Sequence, residues 1–277
     1  MENPKIDAIA VTTGPGLEPA LWVGIKSAEA LGLLWNIPVI PVNHMEGHIM
    51  SVLFTKQKTT LKLPALALLI SGGHTELVYS PKPFSYSVVG QTRDDAVGEA
   101  YDKVARMLGL PYPGGPQIAL LAEEKRKKKY TKNNWDLPRP MIHSKDLDFS
   151  FSGLKTAVLY ATKDKTLSRA QKAEIAKEFE DAVTEVLVAK TRKALTLHKT
   201  KTFIVAGGVA SNTHIKRSLK KLTKEFENLT IHTPQKTVAT DNSIMIGIAG
   251  YSQIRNNPKL LKQKNALRAS GNLRFSA

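Results

Sequence analysis

The order of apolar and polar residues along the chain predicts strands and helices in alternation. Short apolar runs at residues 6–11, 38–42 and 203–205 have the length of buried strands. Apolar residues three and four positions apart predict helices, which cover residues 22–34, 94–108, 117–124, 153–161, 169–198 and 212–226. Because strands that alternate with helices are typical of layered α/β proteins, this pattern predicts an α/β fold.

Two further apolar runs, at residues 66–70 and 76–79, flank the segment Ser71-Gly72-Gly73-His74-Thr75. A short glycine-containing connection between two such runs predicts a β-hairpin. Glycine reaches backbone conformations that turn successive N–H groups towards one anion, so Gly72 and Gly73 are candidates for binding a phosphate. A glycine pair is nevertheless more often only a tight turn.

Two more glycine pairs lie further along the chain. Gly207 and Gly208 follow an apolar strand and precede a helix, where a ligand could contact bare backbone while the Asn212 side chain hydrogen-bonds to it. Gly114 and Gly115 end a proline-rich segment that predicts a loop. Three such pairs, each at a strand end or a helix start, favour a ligand site over three unrelated turns.

The composition narrows the class of protein. With 40 Lys and Arg against 24 Asp and Glu, the 277-residue chain has a formal charge of +16, which favours a polyanionic partner such as nucleic acid, although a basic surface can also serve only solubility. The densest basic run is Lys125-Arg126-Lys127-Lys128-Lys129, which we predict to be an exposed loop that contacts nucleic acid. The chain contains no cysteine, which excludes disulfides, thiolate ligands and a cysteine nucleophile. Its apolar runs are too short for a membrane span, and its first residues do not have the pattern of a signal peptide. We therefore expect a cytoplasmic protein.

The segment at residues 44–48 reads His-Met-Glu-Gly-His. On a helix this spacing places His44 and His48 on one face, where both imidazoles could bind one divalent metal ion. Asp241, just ahead of the apolar run at residues 244–249, is the candidate third ligand. The alternative is a pair of helical histidines that hydrogen-bond to backbone or water, and the spacing alone does not decide between the two.

Zinc metalloproteases also carry two histidines four positions apart. In those enzymes the general-base glutamate directly follows the first histidine. In this chain Glu46 lies one position later and faces a different side of the helix. The pattern therefore disfavours a protease.

Seven motifs occur in one order: His-Met-Glu-Gly-His, Ser-Gly-Gly-His-Thr, Gly-Glu-Ala-Tyr-Asp, Tyr-Pro-Gly-Gly-Pro, Asp-Phe-Ser-Phe-Ser-Gly-Leu-Lys-Thr, Gly-Gly-Val-Ala-Ser-Asn and Thr-Asp-Asn. Together they resemble the TsaD family of tRNA adenosine threonylcarbamoyltransferases, from about residue 6 to the C-terminus. The resemblance implies the two-lobed α/β fold of the actin, sugar kinase and Hsp70 ATPases. It also implies transfer of a threonylcarbamoyl group from threonylcarbamoyl-AMP to the N6 amine of the adenosine next to the anticodon of tRNA.

The resemblance further implies roles for individual residues. The family's metal ligands fall on His44, His48 and Asp241, with iron the expected metal and zinc the alternative. Its substrate-binding positions fall on Leu69, Ile70, Ser71, Gly72, Gly73, Asp102, Gly115 and Asn212. The expected ligands and partners are ATP or the adenylate, tRNA, a paralogous TsaB-like dimer partner and a TsaE-like accessory ATPase. The catalytic base stays unidentified, with Glu46 and a metal-bound hydroxide as the candidates.

The sequence departs from the family pattern at its start, where the family's first phosphate-binding hairpin has no counterpart. We therefore expect residues 1–64 to be a remnant of the N-lobe, residues 65–245 the C-lobe and residues 246–277 a segment that returns to the N-lobe. A reading frame started at an internal methionine is the favoured explanation, with a truncated gene or a partner that supplies the strands as alternatives. A non-catalytic scaffolding role in a tRNA-modifying assembly is the alternative function.

Overall fold

The computed structural model describes residues 5–55, 60–128, 135–262 and 266–275. Its strands are β1 (Ile9–Gly14), β2 (Val39–Asn43), β3 (Ala65–Ile70), β4 (Thr75–Ser80), β5 (Ser87–Gln91), β6 (Thr202–Ala206) and β7 (Thr230–His232). Its helices are α1 (Glu18–Trp35), α2 (His44–Met50), α3 (Val97–Met107), α4 (Gly114–Lys127), α5 (Ser152–Thr162), α6 (Arg169–His198), α7 (Thr213–Thr223) and α8 (Ser243–Asn256). The predicted alternation of strands and helices is confirmed.

Most predicted elements lie within a few residues of their predicted positions. The longest helix, α6, begins where predicted because Ser168 caps it: the Ser168 hydroxyl accepts from the Gln171 amide, and the Gln171 side chain accepts from the Ser168 amide. The loop predicted for residues 111–115 is wrong at its end, since α4 already begins at Gly114. Strands β5 and β7 escape prediction because β5 is largely exposed and β7 has three residues, so neither has a buried apolar run.

The chain divides into two compact units. Unit 1 consists of residues 1–61, 82–87 and 234–277, and unit 2 consists of residues 62–81 and 88–233. The final segment of unit 1 therefore starts at Pro234, whereas the sequence placed the return to the first lobe at residue 246.

Unit 1 is built on a parallel pair of strands, β1 and β2, with Ile9 opposite Val39. Helices α1, α2 and α8 pack around this pair. Helix α8 packs tightly on β1 at Gly250, where a Cβ atom would lie only 2.7 Å from the Cβ atom of Ala10. This close packing fixes the start of α8, and with it the polar residues that directly precede the helix.

Unit 2 is built on a five-stranded mixed sheet with the order β5-β4-β3-β6-β7. Strand β3 is antiparallel to β4 and parallel to β6, and all six of its residues are buried. Helices α3 to α7 contribute to one apolar core with this sheet. Because β3 and β6 run in the same direction, the turn after Ile70 and the segment that starts at Gly207 leave the sheet at the same edge, which is where ligands usually bind in α/β proteins.

Candidate metal centre and substrate cavity

Helix α2 carries both histidines of the predicted metal site. Asn43 caps this helix, because its side-chain oxygen accepts from the amide of Met45 at 2.8 Å and from that of Glu46 at 3.4 Å. His44 is the first helical residue, so His48 lies one turn further on the same face. The two imidazole rings meet edge to face with their centroids 4.8 Å apart.

Asp241 completes the cluster from the segment before α8. Asn242 caps α8 by accepting from the Met245 amide at 3.0 Å, and its side-chain nitrogen donates to the Thr240 carbonyl at 2.7 Å. This local bonding on both sides of Asp241 holds it in place. All three residues belong to unit 1, and their ligand atoms lie within 4.8 Å of one another.

The electrostatics of the cluster suit a cation. Oδ1 of Asp241 lies 3.4 Å from Nε2 of His44 and 3.2 Å from Nε2 of His48, and the imidazoles hold the pKa of Asp241 well below its usual range. Although His48 is 1% exposed, neither of its ring nitrogens makes a hydrogen bond of good geometry within the described residues. A buried nitrogen lone pair without a donor is costly. A divalent metal ion would satisfy it, so the residues present fit such an ion.

Glu46 does not face this cluster. Its Oε2 accepts from Nε2 of Gln253 on α8 at 3.0 Å. Burial raises the pKa of Glu46, which the hydrogen bond from Gln253 opposes. Burial and the neighbouring Glu46 carboxylate together raise the pKa of Tyr86 above its usual range. Glu46 is therefore engaged with α8 and Tyr86, which further weakens the protease interpretation.

The predicted hairpin is present in unit 2, between β3 and β4. Within its turn the Ser71 amide donates to the His74 carbonyl at 2.9 Å, and the His74 amide donates to the Ser71 hydroxyl at 3.1 Å. Gly72 and Gly73 face open space, because a Cβ atom on either would meet nothing within 4 Å. Their backbone is accessible to a ligand, as the phosphate prediction requires.

The side chains of Leu69 and Ile70 are fully buried. If a ligand contacts these two predicted substrate-binding positions, it can do so only through their backbone.

A cavity of about 510 Å³ lies beside the hairpin turn. Its lining contains Gly72, Glu99, Asp102, Lys103, Ala105, Arg106, Leu110, Pro111, Tyr112 and Gly114. Oδ1 of Asp102 accepts from the Gly114 amide at 2.7 Å, which joins α3 to the first residue of α4. Oδ2 of Asp102 makes no hydrogen bond in the described part of the chain, and so it is available to a ligand.

The sequence missed Arg106 as a cavity residue. Arg106 lies four positions after Asp102, so both project from the same face of α3. That helical spacing was a usable signal. The structure thus brings Gly72 and Asp102 together at the cavity, whereas two other predicted positions, Gly115 and Asn212, are absent from its lining among the described residues.

Asn212 instead caps helix α7. Its side-chain oxygen accepts from the amides of His214 and Ile215 at 2.9 and 3.0 Å, and its nitrogen donates to Oε1 of Glu180 at 2.6 Å. Gly207 has φ of 93°, and a Cβ atom there would lie 2.4 Å from the carbonyl oxygen of Ile70. The glycine at position 207 is thus explained by close packing between β3 and β6, without a ligand.

The loop predicted for the basic run is wrong, because Lys125, Arg126 and Lys127 form the last turn of α4. Lys125 pairs with Glu174 at 2.6 Å, and the Arg126 guanidinium bridges Glu180 and Asp181. Lys127 and Lys128 are exposed, and Lys129 lies outside the described residues. Acidic residues of α6 thus neutralise Lys125 and Arg126, and these ion pairs stabilise the last turn of α4.

Comparison with solved structures supports the fold class. The chain is similar to the crystal structure of T. kodakarensis HypF, with a TM-score of 0.64 and 14% identity over 93% of this chain and 42% of that one. It is also similar to full-length HypF in the phosphate- and nucleotide-bound form, with a TM-score of 0.62 and 13% identity over 90% of this chain and 47% of that one. The predicted class, an α/β fold of the actin, sugar kinase and Hsp70 ATPase type, is confirmed.

Comparison with protein families identifies the relatives. Residues 1–248 match the family model for TsaD, tRNA N6-adenosine threonylcarbamoyltransferase. The enzymes of that name from Staphylococcus carnosus and Aromatoleum aromaticum are each 45% identical to the chain, over 89% and 90% of its length and 70% of their own. That of Herminiimonas arsenicoxydans is 44% identical over 94% of the chain and 75% of its own length. The chain belongs to the TsaD family.

No described helix has both the length and the apolar character needed to cross a bilayer.

Proposed function

We propose that the protein transfers a threonylcarbamoyl group from threonylcarbamoyl-AMP to the N6 amine of the adenosine next to the anticodon of tRNA. The observation that carries this proposal is the match of residues 1–248 to the family named for tRNA N6-adenosine threonylcarbamoyl transfer. The histidine–aspartate cluster of unit 1 and the cavity of unit 2 supply chemistry that the reaction needs, and we assign their roles as part of the same proposal.

We infer that His44, His48 and Asp241 hold one divalent metal ion, for which iron is the first candidate and zinc the second. Two imidazoles and one carboxylate suit either ion and leave coordination positions open for a substrate. Such an ion would supply Lewis-acid chemistry for the acyl transfer. The burial of His48 restricts its ring to one orientation, and Asp241 adds the negative charge that stabilises a cation.

We assign the nucleotide part of the adenylate to the cavity of unit 2. Oδ2 of Asp102 would accept a hydrogen bond from a ribose hydroxyl. The hydrogen bond from the Gly114 amide to Oδ1 fixes the orientation of the carboxylate. The accessible backbone at Gly72 and the Arg106 side chain provide donors for a phosphate. ATP would bind through the same groups, because it contains the same adenosine and α-phosphate.

In the proposed reaction the N6 nitrogen forms a bond to the carbamoyl carbon, the bond from that carbon to the AMP oxygen breaks, and the nitrogen releases one proton. Correct positioning of the two substrates can contribute about 7 to 11 kcal/mol to such a step. Because Glu46 is hydrogen-bonded to Gln253, it is not placed to take the proton at the cluster, and the base stays unassigned.

The partners in this proposal are tRNA, a paralogous TsaB-like subunit and a TsaE-like ATPase. The high positive charge of the chain supports binding to tRNA. The two protein partners rest on family membership alone. The cytoplasm is the proposed location, since the substrate is tRNA.

The test is nucleoside analysis of tRNA that lacks the modification, incubated with the purified chain, threonylcarbamoyl-AMP and both partner subunits. We expect threonylcarbamoyladenosine to form, and we expect His48→Ala to abolish it. His143→Ala is the matched control, because His143 is an exposed histidine outside the cluster. If the assembly forms but the wild-type chain gives no modified nucleoside, the scaffolding role would replace the proposed catalytic one.

A further inference from the structure

Helix α7 has a solvent face whose charged residues are all basic. Its apolar residues Ile215, Leu219 and Leu222 are buried in the core of unit 2. No Asp or Glu occurs between Thr213 and Thr223, whereas basic residues occupy the polar side. These are Lys216, Arg217, Lys220, Lys221 and, directly after the helix, Lys224.

Three of these cations have no acidic partner among the described residues. Arg217 pairs with Glu123 at 2.9 Å, and Lys221 lies close enough to Glu225 to lower the pKa of that carboxyl, after the larger effect of Arg192. Lys216, Lys220 and Lys224 are exposed and make no ion pair within the described residues. Their charges are thus available to an external anion. We call these three residues the α7 lysine row.

The spacing of the row makes it a linear array. Residues four positions apart lie on one helix face, about 6 Å further along the axis at each step. Like charges at this spacing destabilise a helix by a few tenths of a kcal/mol. The helix dipole explains cations in the last turn but not Lys216, which lies near the positive N-terminal end. The repulsion between the lysines of the row therefore lowers the stability of α7, and the helix dipole does not compensate for it at Lys216.

The chemistry of the row selects among polyanions. A basic amphipathic helix binds a lipid surface most strongly when its apolar face is free to insert. The apolar face of α7 is already buried, so only its charges can bind. A linear array of ammonium groups fits the regularly spaced phosphates of a nucleic acid backbone.

The row is also placed next to a predicted substrate position. Lys216 follows Asn212 by one helical turn, and the Lys216 amide donates to the Asn212 carbonyl at 3.0 Å.

We propose that the α7 lysine row binds the ribose-phosphate backbone of tRNA. This inference rests on the proposed function for its partner, and it replaces the basic run at residues 125–129 as the principal contact surface. In that run Lys125 and Arg126 are neutralised by Glu174, Glu180 and Asp181, whereas the row keeps its three charges.

The experiment compares two triple variants of the full chain. The test variant is Lys216→Gln/Lys220→Gln/Lys224→Gln. The control variant is Lys62→Gln/Lys145→Gln/Lys163→Gln, which removes the same charge from exposed positions outside both α7 and the basic run at residues 125–129. Fluorescence anisotropy of labelled tRNA, measured across a salt series, gives the affinity and its salt dependence.

We expect the test variant to bind tRNA about 10- to 100-fold more weakly than wild type. The slope of log K against log salt should become less steep by about 2 to 3, because each of the three lost phosphate contacts contributes about 0.7 to 0.9. The control variant should stay within about 2-fold of wild type. Circular dichroism checks that each variant is folded. If the triple variant unfolds, Lys220→Gln alone replaces it as the test variant, with an expected slope change of about 0.7 to 0.9.

Several outcomes overturn the inference. An unchanged slope in the test variant, or an equal loss in both triple variants, would show that the row is only a solvated face. If the wild-type chain modifies tRNA while the test variant binds tRNA normally, the inference fails and the proposed function stands. If the wild-type chain binds no tRNA in the presence of its partners, both fail. Row-dependent binding to phosphatidylserine vesicles, without binding to tRNA, would assign the row to a membrane.

Discussion

Nε2 of His48, a side chain that is 1% exposed, lies 3.2 Å from Oδ1 of Asp241 across 193 positions of sequence. The imidazole comes from the second half of α2 and the carboxylate from the segment that leads into α8. These two elements pack directly against each other within unit 1. The geometry of the cluster is therefore set by the packing of α2 against α8 within that unit. Substitutions in the cluster can be compared with substitutions elsewhere in the chain.

We predict that His44→Ala, His48→Ala and Asp241→Ala each weaken metal binding by more than about 10-fold, the loss typical when even an outer partner of a metal ligand is removed. Each substitution deletes one of three donor atoms. Metal content after dialysis against a defined iron or zinc buffer measures the effect. His143→Ala should retain the wild-type metal content. Full occupancy in all three alanine variants would show that the cluster is not a metal site.

We predict opposite effects from two substitutions at Glu46. Its folded-state pKa is raised by burial, so its contribution to stability is complete below the unfolded pKa and is lost as pH rises through the folded pKa. Glu46→Gln keeps an acceptor for Gln253 and cannot ionise. At pH 8 it should therefore melt at a higher temperature than wild type, and the difference should shrink towards pH 4.

Glu46→Ala should instead lose about 1 to 3 kcal/mol of stability at pH 4, because Gln253 loses its acceptor. This loss should shrink towards pH 8, where the wild type no longer has the contribution of Glu46. Urea denaturation across the pH range measures both effects. The exposed Glu227→Gln serves as the control and should not change the pH profile. If Glu46→Gln is less stable than wild type at pH 8, Glu46 is ionised in the folded protein and the assignment is wrong.

The parts of this site that follow from local spacing could be predicted from the sequence. His44 and His48 are four positions apart on one helix, and Asp241 directly precedes a helical apolar run, so each position has a local signal. The turn at Gly72 is likewise visible, because two apolar runs flank it. Packing within unit 1 then brings the two histidines and Asp241 together.

The parts that depend on distant residues could not be predicted. The neutralisation of Arg126 comes from Glu180 and Asp181, more than 50 positions away, so the basic run looked free in the sequence. The contact between Asn212 and Glu180 is equally nonlocal, so the sequence does not show it. The approach of the Ile70 carbonyl to Gly207 is nonlocal as well, so the sequence shows the glycine but not the packing that requires it.

We predict that Asp181→Asn lowers the free energy of unfolding and makes that free energy less dependent on pH in the acid range. Burial alone would raise the pKa of Asp181, but hydrogen bonds from His214, Lys177 and Arg126 hold it well below its usual range. A depressed folded pKa gives stability that is present above the unfolded pKa, near ~3.9, and is lost as pH falls through the folded pKa.

The variant should therefore lose about 2 to 4 kcal/mol at pH 7, since Arg126 and Lys177 keep their charges without this partner, and the loss should diminish below pH ~3.5. Thermal unfolding at pH 7 and at pH 3 measures it. Asp164→Asn, an exposed aspartate, should match wild type at both values. A loss at pH 3 as large as that at pH 7 would mean that packing, and not charge, explains the effect.

The last prediction concerns two adjacent glycines at the start of α4 that have opposite surroundings. A Cβ atom on Gly114 would lie 2.4 Å from the Cβ atom of Ala105 and 2.9 Å from the Cα atom of Asp102, whereas a Cβ atom on Gly115 would meet nothing within 4 Å. Gly114→Ala should thus push α4 from α3, lengthen the bond from the Gly114 amide to Asp102 and cost about 1 to 3 kcal/mol.

Gly115→Ala should leave stability unchanged or raise it by up to about 1 kcal/mol, because alanine is the better helix former. Urea denaturation separates the two variants, and calorimetric titration with ATP reports on the cavity. Weaker ATP binding in Gly114→Ala alone would follow from displacement of Asp102. If Gly115→Ala weakens ATP binding while its stability is unchanged, a ligand approaches the Gly115 backbone, as the family resemblance implies. If Gly114→Ala is as stable as wild type and binds ATP equally well, the Asp102–Gly114 contact does not shape the nucleotide site.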